Sequence, residues 1–344
     1  KTELAMTVAE NERMILSDIG KNSVSIYIGI PFCPTRCVYC SFVSTDIRVS
    51  GRYMEEFCEK LLLEIDKTAE LLNRTGLYTE NIYIGGGTPT TLPAQWFDRI
   101  LSRIYDRLDM SHIKEFTVEA GRPDTITCDK LDVLKKYGVN RISINPQTMN
   151  DVTLKKIGRS HDTAMFYNAF EMARKKGFDV INTDLIAGLP DETPDMFKVS
   201  LEAIIKLRPE NITVHSLCLK SAASFKLTDN ELAESGYMNE MLSYTQKRMK
   251  EEGYIPYYMY RQKNSSGNLE NVGYAIPGTM SVYNINIMEE KQTIIALGGG
   301  GSSKIVIGNR IERIFNFKDP LEYIRRFDEI LKKKEETEVI INGQ

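Results

Sequence analysis

The sequence predicts an α/β fold organised around a parallel sheet. Short β-branched runs alternate with longer helical patterns six times, at intervals that suit strand–helix crossovers. Several of the short runs are near-continuously apolar, as strands covered on both faces are. The helical patterns also stop where a βα unit must turn. Gly138 follows Lys135, Lys136 and Tyr137, and Gly177 follows Arg174, Lys175 and Lys176, each a cationic last turn with a glycine after it.

The expected strands are Ser23–Ile30, Asn81–Ile84, Glu115–Ala120, Arg141–Asn145, Asp179–Ile186 and Asn211–Leu217. The expected helices between them are Gly51–Asn73, Ala94–Leu108, Cys128–Tyr137, Thr163–Lys176 and Pro194–Leu207. After Leu217 the rhythm changes. Thr228–Glu252 reads as one long helix, followed by the aromatic segment Tyr254–Tyr260. Tyr283–Ile287 and Thr293–Leu297 read as two strands around a polar Glu289-Glu290-Lys291 turn, and Asp319–Lys334 as a closing helix. Four units are expected: an N-terminal extension over 1–22, a βα unit over 23–220, a C-terminal α+β unit over 221–334 and a frayed tail over 335–344. The Lys332–Lys334 run reads as a solvated helix end.

The 344 residues are 42% apolar and 26% charged, ordinary globular usage that excludes wholesale disorder. Forty-four basic against 47 acidic side chains give a net charge of −3, so no global nucleic-acid footprint exists. No apolar run approaches the roughly 20 residues of a membrane helix. Six cysteines are too few for a disulfide scaffold, and reduced thiols in a cytoplasmic protein are expected. The chain starts at Lys1 without a signal-peptide pattern and is expected to be a fragment or a processed chain.

The strongest chemical signal is Cys33-Pro-Thr-Arg-Cys37-Val-Tyr-Cys40, just after the first strand. Three of six cysteines at this spacing is not coincidence, and a loop of this length lets three thiolates converge. A structural zinc site would need a fourth Cys or His nearby, whereas His112, His161 and His215 are scattered singly. A 4Fe-4S cluster held by three cysteines keeps one iron open for a small chelating ligand. Gly85-Gly86-Gly87-Thr88-Pro89 ends the second strand. Its glycines permit close backbone approach and expose N–H and C=O groups to a ligand, or make a tight βα turn. Glu119 ends the third strand, where an acid points into the sheet's mouth or pairs structurally.

With Tyr39 before its last cysteine, the triplet resembles the radical S-adenosylmethionine (SAM) superfamily. Tyr27–Cys33, Tyr83–Thr90, Phe116–Glu119, Asn145–Gln147, Ile157–Arg159 and Asp184–Pro190 recur in this order in oxygen-independent coproporphyrinogen III oxidase-like (HemN-like) proteins. Tyr260–Asn264 and Asn268–Asn271 look closest to the HemZ coproporphyrinogen dehydrogenase branch. The resemblance covers about residues 23–315. It implies a partial (β/α)6 TIM-like barrel with a C-terminal α+β cap. It also implies a 4Fe-4S cluster on Cys33, Cys37 and Cys40, and one S-adenosylmethionine or two.

The site residues follow from the same resemblance. Gly86, Gly87 and Thr88 contact the methionine moiety, with Tyr27 close by as part of the catalytic set. Glu119 hydrogen-bonds the ribose, and Tyr39 packs beside the cluster or adenine. Gln147, Arg159 and Asp184 serve a second S-adenosylmethionine, with a plain Arg159–Asp184 ion pair as the alternative. Cys58, Cys128 and Cys218 read as small apolar side chains; Cys218, after the sixth strand, is also carried as a cofactor-binding candidate. Tyr254, Tyr257, Tyr258 and Tyr260 are core or a porphyrin platform, and Gly298–Ser302 is a nucleotide-contacting loop or a turn.

The implied activity is the anaerobic oxidative decarboxylation of coproporphyrinogen III propionates to vinyls in haem biosynthesis. The implied partners are a tetrapyrrole substrate and an electron donor such as flavodoxin or ferredoxin, with no nucleic acid or membrane and a monomeric chain. A tetracarboxylate needs converging cations, for which Arg36, Arg122, Lys220 and Arg261 are the candidates. Two departures open alternatives. Phe42 stands where the oxidase proper has a fourth cysteine. The haem-chaperone (HemW-like) branch carries a His-Asn phrase where this chain reads Tyr283-Asn-Ile-Asn-Ile-Met288. A haem-binding trafficking protein and another radical reaction on a tetrapyrrole are the rivals.

Overall fold

The computed structural model describes residues 2–40, 45–217, 235–261 and 269–343. Among them, eleven strands form one sheet. They are β1 (Ser23–Ile30), β2 (Tyr78–Gly86), β3 (Glu115–Glu119), β4 (Arg141–Ser143), β5 (Val180–Ala187), β6 (Asn211–Ser216), β7 (Ile255–Tyr260), β8 (Asn271–Ala275), β9 (Thr293–Gly298), β10 (Ser302–Ile307) and β11 (Arg310–Phe315). Their order across the sheet is β11-β10-β9-β1-β2-β3-β4-β5-β6-β8-β7. The run from β9 through β6 is parallel throughout, and the strands beyond it on both sides are antiparallel. All six strands read from the βα rhythm are present, as the central strands of a TIM-like α/β sheet.

Helices α1 (Thr2–Ser17), α2 (Met54–Thr75), α3 (Ala94–Arg107), α4 (Cys128–Lys136), α5 (Asp151–Lys156), α6 (Thr163–Lys175), α7 (Pro194–Leu207), α8 (Ser235–Glu251), α9 (Val282–Glu289), α10 (Pro320–Arg325) and α11 (Phe327–Asn342) accompany the strands. Their ends follow local chemistry. Thr193 caps α7 by accepting from Met196 N, with Pro194 in the first turn. Gly138 and Gly177 adopt the left-handed φ of 74° and 73° that the stops of α4 and α6 require. No helix among the described residues is long and apolar enough to cross a membrane.

The period-2 pattern of the strands sorts chemistry to two faces. On β1, Val24, Ile26, Ile28 and Ile30 are buried in the large apolar cluster that includes Phe57 and Leu61 of α2. Each contributes about 1.5–3 kcal/mol by leaving water. The alternate residues face the lumen. Ser25 meets Gln292 at 2.6 Å, and Tyr27 stacks on Tyr83 at 6.1 Å. The lumen is therefore polar and aromatic, and its mouth lies at the carboxyl ends of the parallel strands.

Two expectations are corrected. Val282–Glu289 is helix α9 rather than a strand, so β9 has no hairpin partner there and runs parallel to β1. Ser281 caps that helix on Asn284 N, and its buried Tyr283 and Asn286 lie one turn apart, facing the lumen. An alternating Tyr/Ile pattern has served a short helix that plugs the barrel. Strands from beyond the expected boundary near 220 flank both edges of the βα core in the same sheet. The tail is not frayed: α11 runs to Asn342, with Thr337 buried and Glu338 paired to Arg74 at 2.7 Å. The expected long helix begins at Ser235 among the described residues. Phe42, Cys218 and Lys220 lie outside the described residues.

Candidate active site

The cysteine loop leaves the carboxyl end of β1. Phe32–Cys33 forms a two-residue parallel ladder with Thr45–Asp46. Hydrogen bonds that spare the thiols hold the segment: Thr35 Oγ1 donates to Gly158 O at 3.0 Å and Val38 N to Ile157 O at 3.2 Å. Arg122 Nη1 donates to Thr35 O at 3.1 Å and to Thr35 Oγ1 at 2.8 Å. None of Cys33, Cys37 and Cys40 is in a disulfide; the first two are buried and the third is half-buried. Among the described residues no three His, Cys, Asp or Glu side chains stand close enough to hold a metal ion. The three thiols thus share a loop without being drawn to one point. Metal binding and ligand convergence go together, since thiolates repel until a metal neutralises them. The donor set, three cysteine side chains on one anchored loop at the barrel mouth, fits an iron–sulfur cluster with one open iron.

The Gly85–Pro89 turn packs directly on this loop. Gly87 N donates to Ile30 O and Thr88 N to Phe32 O, both at 2.8 Å, and Cys33 Sγ lies 3.3 Å from Thr88 Oγ1. A Cβ on Gly87 would stand 2.7 Å from Phe32 O and 3.0 Å from Cys33 Sγ. At Gly86, φ is 111° and a Cβ would meet Ile30 O at 2.9 Å. These glycines are needed first to seat the turn against the cysteine strand. The expectation of exposed N–H groups is corrected for Gly87 and Thr88, whose N–H groups are satisfied internally.

Glu119 is half-buried beside this turn. Tyr83 Oη donates to its Oε1 at 2.5 Å, and Gly86 N–H donates as well. Burial pushes the carboxyl up to about 7, with Asp184 adding to the rise and the two donors opposing it. Tyr83, Tyr27 and Tyr283 form a cluster of near-parallel rings, with Tyr83 6.1 Å from Tyr27 and 4.4 Å from Tyr283 and the latter two 6.4 Å apart. Burial, with Glu119 next in line, raises the Tyr27 hydroxyl well above its ordinary value.

Tyr39 packs with Leu154, Ile157 and Leu217, and its hydroxyl accepts from Arg159 Nη2 at 3.1 Å. Arg159 also reaches Gly121 O at 3.5 Å, while its Nε is buried without a partner. The alternative Arg159–Asp184 pair is not formed. Asp184 accepts instead from Asn182 Nδ2 at 2.8 Å and lies 3.6 Å from His215 Nε2. His215 Nδ1 meets Tyr260 Oη at 3.1 Å. Gln147 has a φ of 71°; its N–H donates to Asp184 O and its carbonyl accepts from Ile186 N. Tyr27, Tyr39, Gly86, Gly87, Thr88, Glu119, Gln147, Arg159 and Asp184 therefore all lie on the segments that line or close the mouth of the parallel strands.

The expected substrate cations fare differently. Arg122 is 3% exposed and committed to Thr35 and Asp124, so it faces no tetracarboxylate. Arg261 pairs with Glu270. Tyr254 Oη donates to Pro209 O at 2.6 Å within the core, and Tyr257 and Tyr258 are buried as well. Of those four tyrosines only Tyr260 is half-exposed. Gly298–Gly301 is a turn that ties β9 to β1, with Gly299 N donating to Gly29 O at 2.9 Å. Sequence reasoning missed Tyr83, Tyr283 and His215. Tyr83 had a signal, since it lies two residues before Gly85 and so on the same strand face.

Residues 27–204 match the Radical SAM superfamily model. The oxygen-independent coproporphyrinogen-III oxidase-like protein HemZ of Bacillus subtilis is 44% identical over 319 residues, 91% of this chain. The chain spans 64% of that relative's length. The heme chaperone HemW of Lactococcus lactis is 33% identical over 282 residues, 81% of this chain and 69% of that protein. Among solved structures, coproporphyrinogen III oxidase (HemN) from Escherichia coli shares the fold. Its TM-score is 0.72 at 22% identity, over 92% of this chain and 71% of that one.

Proposed function

The chain belongs to the radical S-adenosylmethionine superfamily, and from that premise we propose that it is an oxidoreductase that decarboxylates coproporphyrinogen III propionates to vinyl groups without oxygen. The observation that carries the reading is the meeting of the cysteine loop and the glycine turn, Cys33 Sγ against Thr88 Oγ1, beside the half-buried Glu119. The likeness to HemZ supports a tetrapyrrole as the substrate class.

Cys33, Cys37 and Cys40 would hold a 4Fe-4S cluster and leave one iron for the amino and carboxylate groups of S-adenosylmethionine. When bound, this pair supplies a one-electron cleavage of the sulfonium that yields methionine and a hydrogen-abstracting deoxyadenosyl radical. The chain's own residues bind and shield. Gly86, Gly87, Thr88 and Tyr27 shape the methionine end, Glu119 accepts from the ribose, and Tyr39 covers the loop. Gln147, Arg159 and Asp184 are assigned to a second S-adenosylmethionine, with Cys218 kept as a cofactor-binding candidate. The aromatic lumen keeps water from the reacting centre. A flavodoxin or ferredoxin would supply electrons, and an acceptor would take the electron released with each carbon dioxide.

A haem-trafficking role is the second reading, favoured by Phe42 in place of the extra cysteine and by the HemW relative. Against it, Tyr283, at the place of the chaperone phrase, is buried in the tyrosine stack and offers haem no ligand.

The test is anaerobic reconstitution followed by incubation with dithionite, S-adenosylmethionine and coproporphyrinogen III. About four irons per chain are expected. They should be lost in Cys37→Ala and kept in Cys58→Ala and Cys128→Ala. Deoxyadenosine and a product lighter by one or two decarboxylations support the oxidase. Deoxyadenosine with a heavier, methylated product would replace it by another radical reaction. A tight haem complex without turnover would replace it by trafficking.

A further inference from the structure

Glu119 owes its position to a neighbour that the superfamily likeness does not assign. Strands β2 and β3 run in parallel register, with Tyr83 opposite Thr117 and Ile84 opposite Val118. Gly85 comes next, and its missing side chain opens a slot beside Glu119. A Cβ there would lie 2.8 Å from Tyr83 Cε1 and 3.0 Å from Glu119 Cδ. The Tyr83 ring fills that slot and delivers its hydroxyl to Glu119 Oε1 at 2.5 Å. Near-parallel packing of Tyr27 and Tyr283 against it, with interplanar angles of 18° and 20°, restricts the ring.

We propose that Tyr83 is a positioning residue that holds the Glu119 carboxylate in place for the vicinal hydroxyls of a bound adenosyl group. The proposal rests on the reading that S-adenosylmethionine binds at this turn through Glu119. A carboxylate is a strong acceptor for two ribose hydroxyls; a protonated carboxyl is a poorer one. The groups facing Glu119 are Tyr83 and the Gly86 N–H from β2, Tyr27 from β1, Asp184 from β5 and Tyr283 from α9. Tyr83 and Gly86 favour the charged form, while burial and Asp184 oppose it. The Tyr83 hydroxyl is the side-chain donor that tips the balance near neutral pH.

The experiment is equilibrium dialysis of S-adenosylmethionine against the reconstituted, unreduced holoprotein from pH 6.5 to 9, comparing Tyr83→Phe with the unaltered chain. The phenyl ring keeps the stack and removes only the hydroxyl. Losing a donor that lowers the Glu119 pKa must raise that pKa further above 7. The variant should therefore bind about tenfold more weakly at pH 7 and recover to within about threefold by pH 9. Weakening by a constant factor at every pH, or none at all, would overturn the proposal while leaving the cofactor site intact. No binding by the unaltered holoprotein would instead overturn the site reading and this proposal with it. Should Tyr83→Phe not fold, Glu119→Gln gives the answer: its affinity should be flat with pH, and a profile like that of the unaltered chain would refute the proposal.

Discussion

Arg122 Nη1 donates to both the carbonyl and the hydroxyl of Thr35, at 3.1 and 2.8 Å, and so grips the cysteine loop between Cys33 and Cys37. Its Nη2 and Nε are spent on Asp124, whose carboxyl burial would push up. The nearby His161, whose Nδ1 lies 3.8 Å from Asp124 Oδ1, and the Arg122 guanidinium outweigh burial and hold it at about 2. A residue expected to receive substrate carboxylates thus belongs to the scaffold of the cluster loop.

Arg122→Gln should accordingly lower the iron retained after anaerobic reconstitution to less than about half, because it breaks the forked pair and frees Thr35. Arg122→Lys should fall between, since an ammonium cannot reproduce the planar fork. Apoprotein stability should drop by about 3 kcal/mol in the glutamine variant, as Asp124 loses its cation in a largely buried setting. Iron content and chemical denaturation measure both. Full iron loading with weakened tetrapyrrole binding would restore the substrate-cation role.

The closing helix is held by an ion pair that corrects the expected solvated Lys332–Lys334 run at Lys334, while Lys332 is exposed. Lys334 is 3% exposed, its Nζ 3.0 Å from Glu64 Oε1 and 2.6 Å from Ala296 O. Glu64, on α2, also accepts from Tyr323 Oη, Asn316 Nδ2 and Gly298 N. Lys334→Met should destabilise the fold by about 3–5 kcal/mol, because it leaves a buried carboxylate without its cation. Adding Glu64→Gln to that variant should return part of the loss. Denaturant melts of the single and double variants decide it; additive losses would mean the two groups are not coupled.

Glu192 gives the stability curve a definite sign. It is 3% exposed, accepts from Thr148 Oγ1, and burial pushes its carboxyl up to about 7 against the opposing hydroxyls of Thr148 and Thr153. A folded value above the unfolded 4.5 means the native state binds this proton more tightly. That stabilisation is complete below pH 4.5 and is lost as pH rises towards 7. Glu192→Gln should leave stability near pH 4 unchanged and raise it by about 3 kcal/mol at pH 8. Glu12 and Glu119, also raised to about 7, keep a residual slope of the same sign. Thermal melts at the two pH values check it, and equal shifts at both would remove Glu192 as the cause.

Local pattern was enough to reach the βα core. Residues 23–30 alternate lumen and core chemistry within eight positions, and Gly138 and Gly177 mark helix ends by a backbone angle that glycine adopts without strain. The cysteine spacing is likewise a property of eight consecutive residues. Each of these rests on interactions between neighbours in the chain, so a linear reading captures them. The destinations of long side chains do not. Lys334 finds Glu64 across 270 positions, and Arg122 reaches back to Thr35 across 87. Tyr283 joins Tyr27 and Tyr83 only because a short helix folds into the lumen. Whether a cation meets solvent, substrate or a buried carboxylate depends on which distant surfaces the sheet brings together. Desolvation then makes that choice worth several kcal/mol, which is why Arg122 and Lys334 are scaffold here and why Glu119 has Tyr83 beside it.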